Sequence, residues 1–269
     1  MKHSVAAVWL VMLGTTAAAS YAQTGAQPGG ADSAALNRSL AVGLAHQRLS
    51  SGFGTWNDQF IRLVWEQDKA NLFNAELVHG NRFNESGVLG GLSWTHILNA
   101  DWYGSLAYAR TNKGLFWPIS QGSATINKKW LENRKLITSV ALGFDESRNN
   151  YSGRWASLAA SYYAPNSFLI GAGLRMNETQ PGDVRTQRRF ASITWGTRGN
   201  AYVSLSYNGG REGYQLLNSS AITDFSSREW ILQWKQWVTR SAGLEFKAFD
   251  YRNSFYQRAG AEAGVFTEF

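Results

Sequence analysis

The chain lacks cysteine altogether, has only four prolines among its 269 residues, and contains no long apolar helix. Without cysteine it forms neither a disulfide framework nor a cysteine-based metal site, and it cannot carry a lipoprotein anchor. So few prolines suit a chain of many strands with few breakers. A chain without a long apolar helix can span a bilayer only as a closed β-barrel, because lipid offers no partner to unpaired backbone groups.

The N-terminus has the features of a secretory signal peptide. Lys2 supplies the positive charge, Val5 to Leu13 the apolar stretch, and Ser20-Tyr21-Ala22 the small-x-small cleavage site. The apolar stretch is too short to cross about 30 Å of hydrocarbon, so we expect cleavage after Ala22 rather than a membrane anchor. The predicted organisation is a signal peptide over 1–22, a flexible periplasmic N-terminus over 23–38 and a barrel domain over 39–269.

Beyond these segments, apolar and polar residues alternate in short runs separated by turn residues. Leu40, Val42 and Leu44 share one face of the first run, and Ile61 and Trp65 share one face of the second. A period of two residues predicts strands, whereas a helix would show a period of 3.6. We predict an all-β fold: a single antiparallel up-and-down transmembrane barrel of about 14 strands, with 12 or 16 as alternatives, and both termini in the periplasm. The later runs fall at about 120–130, 136–146, 151–163, 168–177, 187–196, 201–210, 226–237, 242–252 and 256–269.

The predicted connections differ in length between the two ends of the barrel. Short turns at the periplasmic end and longer loops at the extracellular end are typical of outer-membrane barrels. One run breaks the pattern, since Lys128 falls on the face that Ile126 and Trp130 would present to lipid; this predicts a bulge or a misplaced boundary. The short turns are predicted at 68–71, 99–101, 131–135, 164–167, 197–200 and 239–241, and the longer loops at 80–87, 112–119, 177–186 and 209–225.

Aromatic residues are abundant, with 12 Trp, 11 Tyr and 14 Phe. Such rings gather at the two bilayer interfaces of membrane barrels. The chain also ends on Phe269, which resembles the terminal signal read by the barrel-assembly machinery. Six tryptophans close to predicted periplasmic turns are predicted to form an aromatic girdle: Trp65, Trp94, Trp102, Trp130, Trp195 and Trp237.

The formal charge is 26 basic minus 19 acidic residues, or +7, and it falls to +6 once Lys2 leaves with the signal peptide. An exported chain rarely meets nucleic acid, so we expect outer-membrane lipid, including lipopolysaccharide, or an anionic polymer as the counter-charge. Seven charged residues fall on predicted inner faces, where they either pair with one another and hold the barrel rigid or line a pore and set its selectivity. They are Arg62, Glu66, Glu76, Arg175, Glu245, Lys247 and Glu262.

A secreted soluble β-sandwich would alternate in the same way, with its apolar face in a core. Two features favour the membrane barrel. Inward positions such as Gly171, Gly173 and Ser204 are small or polar and would leave a core unfilled, and the aromatic residues cluster at strand ends rather than in mid-strand.

Between Asn112 and Arg175 the chain carries a series of distinctive turn and strand patterns. They are Leu115-Phe116-Trp117-Pro118, Lys135-Leu136-Ile137-Thr138, the charged hairpin Asp145–Asn150, and Ser161-Tyr162-Tyr163 before Ala164-Pro165-Asn166. In these patterns the chain resembles the YaiO family of outer-membrane β-barrel proteins. The resemblance implies a single barrel domain in the Gram-negative outer membrane, with no established catalytic residues. Some YaiO-like barrels are joined to helical repeats in proteins thought to serve exopolysaccharide secretion, but this chain has no such repeats.

A lipid-modifying hydrolase is the enzymatic alternative. Of the three histidines that remain after signal removal, His46 and His79 fall toward the outer rim, and His96 lies elsewhere. At the rim, an imidazole beside Ser50, Ser51 or Ser86, oriented by a carboxylate, would activate the hydroxyl against lipid acyl esters. An isolated imidazole would only lie at the head-group boundary. The sequence contains no H-x-H pair of the kind that would indicate a metal site.

We therefore predict a barrel that is not an enzyme and has no catalytic residues, metal or cofactor. Its predicted role is a passive pore or envelope component, with a polysaccharide-secretion apparatus as the partner that the resemblance suggests. A purely structural barrel is the remaining alternative.

Overall fold

The computed structural model describes residues 36–113, 117–148, 151–215 and 222–269. Within these ranges the chain forms 14 strands joined by turns and loops, and it contains no helix. The predicted signal peptide and nearly all of the predicted flexible segment lie outside the described residues. The strands are β1 (Arg38–Leu49), β2 (Thr55–Glu66), β3 (Asn71–Arg82), β4 (Glu85–Ile97), β5 (Trp102–Thr111), β6 (Ser120–Trp130), β7 (Leu136–Glu146), β8 (Ser152–Ala164), β9 (Phe168–Gln180), β10 (Val184–Thr197), β11 (Ala201–Gln215), β12 (Ile222–Trp237), β13 (Ala242–Asn253) and β14 (Gln257–Glu268).

The strands close into one antiparallel up-and-down barrel. Each strand pairs with its neighbours in sequence, and β1 pairs with β14 from Ser39 opposite Glu268 to Leu49 opposite Arg258. Closure leaves no strand edge unpaired, which is the condition for a sheet to lie in lipid. The all-β barrel prediction is confirmed, with 14 strands rather than 12 or 16. In the ranges given above, no helix is long and apolar enough to cross a membrane.

Strand alternation divides the side chains between an outer and an inner face. On β1 the side chains of Leu40, Val42 and Leu44 point outward and are 38%, 41% and 62% exposed, whereas Ala41 and Ala45 point inward and are buried. The same division runs round the barrel, so its outside is a band of exposed apolar side chains. Lipid is the medium that covers such a band.

The two ends of the barrel are named here by what they carry. The terminal end holds Arg38 and Phe269 together with six turns, each within one or two residues of its predicted position. The loop end holds the other seven connections. Which end faces the periplasm stays a prediction.

The prediction of long loops is wrong for three of the four. β3 and β4 join through Phe83 and Asn84 alone, β9 and β10 are separated only by 181–183, and the connection between β11 and β12 spans only 216–221. The loop at 112–119 matches its predicted bounds. The others are shorter because polar strand ends keep pairing past the apolar band, as Arg211 does with Ser226.

Lys128 lies on the outer face without a bulge and without a misplaced boundary. Its residue pairs are regular, with Trp102 opposite it on β5 and Thr138 opposite it on β7. Its ammonium group lies 3.6 Å from the ring centroid of Trp130 and 5.2 Å from that of Trp102. The charge is tolerated because a long side chain near a strand end lies over aromatic faces and reaches the polar boundary.

Candidate functional site: the barrel interior

The barrel interior has two contrasting walls. The inner face of β4–β9, called here the small-residue wall, carries mostly Gly, Ala, Ser and Thr. The inner face of β10–β14 and β1–β3, called here the charged wall, carries large charged and aromatic side chains. Many residues of this wall are half-buried rather than packed in a core, although the Trp155 and Phe190 rings cover Gly143 and Gly173. The half-buried residues include Gly91, Ser93, Ala107, Ser123, Gly143, Ser157, Ala159, Ser161, Gly171 and Gly173.

All seven charged residues predicted to face inward lie on the inner face. Five of them form one ion-pair network, the Arg62 network. Its centre is the Arg62 guanidinium, which lies 2.7 Å from Glu76, 2.5 Å from Glu262 and 3.4 Å from Glu245. Lys247 adds a contact of 3.7 Å to Glu262. These contacts agree with the interpretation in which the five charged side chains pair with one another and hold the barrel rigid.

The network spans β1 because that strand presents only small side chains to the inside at this height. Ala41, Gly43 and Ala45 leave room for the Arg62 side chain to pass from β2 toward β14. The guanidinium also stacks on Phe60, 3.9 Å from the ring centroid. Stacking and charge together hold Arg62 in one position.

The other two predicted residues lie apart from the network. Glu66, near the terminal end, accepts a hydrogen bond of 2.6 Å from the backbone N–H of Asn37. Arg175 lies on the small-residue wall, stacks on Trp155 at 4.1 Å, and donates to Asn177 at 2.7 Å. Arg175 lines the cavity described below, but it is only 7% exposed.

A second ion-pair network, the loop-end network, was not predicted. Its pairs are Arg258 with Glu229 at 3.2 Å, Arg188 with Glu212 at 2.9 Å, and Arg82 with Asp58 at 2.6 Å. Tyr251 donates to Glu212, and Arg82 and Arg258 lie 4.6 and 5.0 Å from the ring of Trp56. Two of these residues, Arg82 and Glu212, belong to segments predicted as loops, so alternation assigned them no face.

Aromatic side chains narrow the lumen at the loop end. Trp117, from the loop between β5 and β6, is 3% exposed and packs with Phe60, Val78 and Leu89. Tyr256, in the turn between β13 and β14, packs beside Trp56, and burial raises the pKa of its hydroxyl above the ordinary value. The described residues therefore constrict this end on the charged-wall side.

A cavity remains between the two walls. Empty space there amounts to about 680 Å³, including the solvent at its mouth. It reaches from Asn74 and Glu76 to Gln121, Asp145, Trp155 and Arg175. Its lining mixes hydroxyl, amide and charged groups with apolar and aromatic side chains, among them Leu89, Tyr108, Phe144 and Trp155.

Five of the six tryptophans predicted for the girdle lie on the outer face near the terminal end. Trp65, Trp94, Trp102, Trp130 and Trp195 are between 37% and 54% exposed.

Trp237 does not belong to this set. It is 7% exposed, points inward, and packs edge-on against Phe266 and Tyr202. Alternation along β12 explains this, because Trp230 and Trp234 point outward and Trp237 lies an odd number of residues away.

The histidines do not form the predicted hydrolase site. His46 Nδ1 lies 2.7 Å from the amide oxygen of Asn57, and His96 Nδ1 lies 2.9 Å from that of Asn71. His79 is exposed on the outer face, and within the described part of the chain no histidine contacts a hydroxyl at hydrogen-bond distance. The described residues therefore do not form the serine–histidine arrangement on which the hydrolase alternative depends.

Solved structures of similar shape are outer-membrane barrels. An anion-selective porin from Comamonas acidovorans superposes with a TM-score of 0.50 at 10% identity, over 87% of this chain and 99% of that one. The CymD monoaromatic hydrocarbon channel superposes with a TM-score of 0.56 at 9% identity, over 87% and 88%. A bacterial polysaccharide outer membrane secretin superposes with a TM-score of 0.51 at 10% identity, over 88% and 100%. At these identities the likeness concerns the fold alone.

Sequence comparison identifies the family. No curated protein matches the chain in sequence. The YaiO membrane beta barrel domain, however, matches residues 37–215, which is well over half of the chain and includes every pattern behind the predicted resemblance. The chain belongs to the YaiO family of outer-membrane β-barrel proteins.

Proposed function

We propose that this barrel is a passive conduit for hydrophilic solutes across the outer membrane and that it serves polysaccharide export. The observation that carries the proposal is the small-residue wall. Its residues Gly91, Ser93, Ala107, Ala109 and Ser123 line the cavity and leave it unfilled. A wall of small polar groups provides a hydrated path, since it neither fills the lumen nor binds a solute tightly.

The chemistry of the cavity supports a sugar-like solute. Gln121, Ser93 and Ser123 offer amide and hydroxyl groups, and Trp155 offers an indole beside Arg175. Hydroxyl-rich solutes exchange hydrogen bonds with such groups without a large desolvation cost. Similarity in shape to a polysaccharide outer membrane secretin agrees with this choice of solute. In this proposal the terminal end faces the periplasm, the signal peptide is cleaved, the barrel-assembly machinery inserts the barrel, and a secretion apparatus delivers the polymer.

A purely structural barrel is the second candidate. The loop-end network and the buried Trp117 favour it, because they fill the charged-wall side of the lumen. The two candidates differ in whether ions pass along the small-residue wall.

Single-channel recording in planar bilayers separates them. Folded protein, verified by its heat-modifiable migration on gels, should produce stepwise conductance, and Trp117→Ala should enlarge the steps. Trp130→Ala, on the outer face, is the matched control and should leave them unchanged. Absence of conductance from folded protein would remove the conduit and leave the structural barrel. If the protein conducts ions but a neutral oligosaccharide never blocks the current, the conduit part of the proposal would stand and the polysaccharide part would be wrong.

A further inference from the structure

Four arginines gather on the outer face near the loop end, on four consecutive strands. This arginine patch consists of Arg189 on β10, Arg211 on β11, Arg228 on β12 and Arg252 on β13, all exposed. Arg228 lies directly opposite Arg252, and Arg189 and Arg228 flank Gly209 from either side. Arg211 is two residues beyond Gly209 and so lies diagonally from Arg189 and from Arg228.

Like charges in this register are unfavourable unless a counter-ion joins them. Two cationic side chains directly opposite on one face of a sheet repel each other. Elsewhere at the same end the signs alternate: Arg154 faces Glu178, and Glu178 faces Arg185 at 3.1 Å. The patch therefore departs from the alternation of sign on the outer face of the neighbouring strands β8–β10.

The chain neutralises only half of the patch. Asp224 accepts from Arg211 at 2.7 Å, and Asp250 accepts from Arg252 at 3.1 Å. Arg189 and Arg228 have no ion pair among the residues that the structure describes. Two arginine side chains are left for an anion from outside the protein.

The surroundings of the patch are those of a membrane interface. On the side toward the middle of the barrel, the rings of Tyr207 and Trp230 pack at a tilt of 51° with centroids 4.8 Å apart. Below them Leu205 and Leu232 are 42% and 43% exposed and belong to the apolar band. Aromatic side chains mark the head-group level of membrane barrels, so the arginines lie where lipid phosphates lie.

We propose that the arginine patch binds the phosphate groups of a phosphorylated glycolipid. Arg189 and Arg228 would each donate forked hydrogen bonds to a phosphate, and Arg252 would share the one held by Arg228. The acyl chains would lie along Trp230, Leu205 and Leu232. Gly209 leaves room for the Tyr207 ring, whose hydroxyl lies between the two unpaired arginines, because a Cβ at Gly209 would collide with that ring. This site lies outside the lumen; it rests on the orientation given in the proposed function, with the loop end extracellular, and not on the conduit.

The test uses the full chain in neutral detergent micelles, with diphosphoryl lipid A as the probe and native mass spectrometry as the readout. The double variant Arg189→Gln/Arg228→Gln should bind at least about tenfold more weakly, which corresponds to about 1.4 kcal/mol. The control Arg110→Gln/Arg154→Gln removes two exposed outer-face arginines of the same end and should bind within about twofold of the parent chain, by the same relation.

Three results would overturn the proposal: unchanged affinity in the Arg189→Gln/Arg228→Gln variant, equal binding of dephosphorylated lipid A, or equally tight binding of inorganic phosphate. Loss of folding is recognised separately. Because the substitutions relieve repulsion, the lipid-free variant should unfold in urea at a concentration no lower than the parent chain does.

Discussion

Arg62 on β2 and Glu262 on β14 form an ion pair of 2.5 Å that passes over β1, the strand at which the barrel closes. The same guanidinium serves Glu76 and Glu245. Replacing it therefore leaves three carboxylates close together without their shared cation. We expect Arg62→Met to lower the free energy of unfolding by about 2 kcal/mol, the cost of leaving half-buried charges unpaired.

Urea unfolding in phospholipid vesicles measures this change. Arg185→Met is the control, because its side chain is 81% exposed and pairs with a single carboxylate, that of Glu178. It should change the free energy of unfolding by less than about 0.5 kcal/mol. Equal effects of the two substitutions would show that the Arg62 network contributes nothing to closure.

Two glycines, Gly43 on the inner face of β1 and Gly90 on the outer face of β4, should respond differently to alanine. A Cβ at Gly43 would collide with the Phe60 ring and with the carbonyl oxygen of Ala263, whereas a Cβ at Gly90 would meet nothing within 4 Å. We expect Gly43→Ala to cost about 1–3 kcal/mol and Gly90→Ala to be neutral. The same urea measurement compares them, and a tolerant Gly43 would contradict the tight packing at the β1 seam.

Much of the barrel could be predicted because its information is local. The alternation and the turn residues predict β6 and β7 with the bounds that the structure shows. Because Arg62 and Glu245 lie opposite the apolar face of their strands, they are predicted to point inward. Such features depend on residues one or two positions apart. The strand count followed from them.

Pairings between distant strands could not be predicted. Nothing local relates Arg62 to Glu262, which lies 200 residues later, and their contact requires the closed barrel. The loop-end network was missed because polar strand ends resemble loops. Trp237 was assigned by its distance from a turn, although the alternation from Trp234 would have shown its face.

The inward position of Trp237 predicts its behaviour toward a quencher in the membrane. In vesicles of brominated lipid, Trp195→Phe should remove quenchable fluorescence, because that indole is 54% exposed on the outer face. Trp237→Phe should remove only fluorescence that the brominated lipid does not quench, because that indole points into the barrel. Comparison of the spectra with and without bromine separates the two, and equal losses would contradict the placement of Trp237.

Asp68, in the turn between β2 and β3, should titrate below the ordinary aspartate value of about 3.9. Hydrogen bonds from the Asn71 side chain and the backbone N–H of Ala70 stabilise its carboxylate and lower its pKa. A lowered pKa means that the carboxylate stabilises the turn above about pH 4 and loses this effect as pH falls through the folded pKa. An NMR titration measures the midpoint, and Asn71→Ala should raise it. A midpoint that Asn71→Ala leaves unchanged would show that these bonds do not form.

The most direct measurement compares two adjacent residues of β8, each replaced by the chain's only cysteine. Ser157 faces the cavity side and Leu158 is 54% exposed on the outer face. In lipid vesicles, Ser157→Cys should react with a charged, water-soluble thiol reagent and lower the conductance, whereas Leu158→Cys should be protected by lipid. Protection of Ser157→Cys together with reaction of Leu158→Cys would contradict both the water-filled lumen and the lipid-covered outer face.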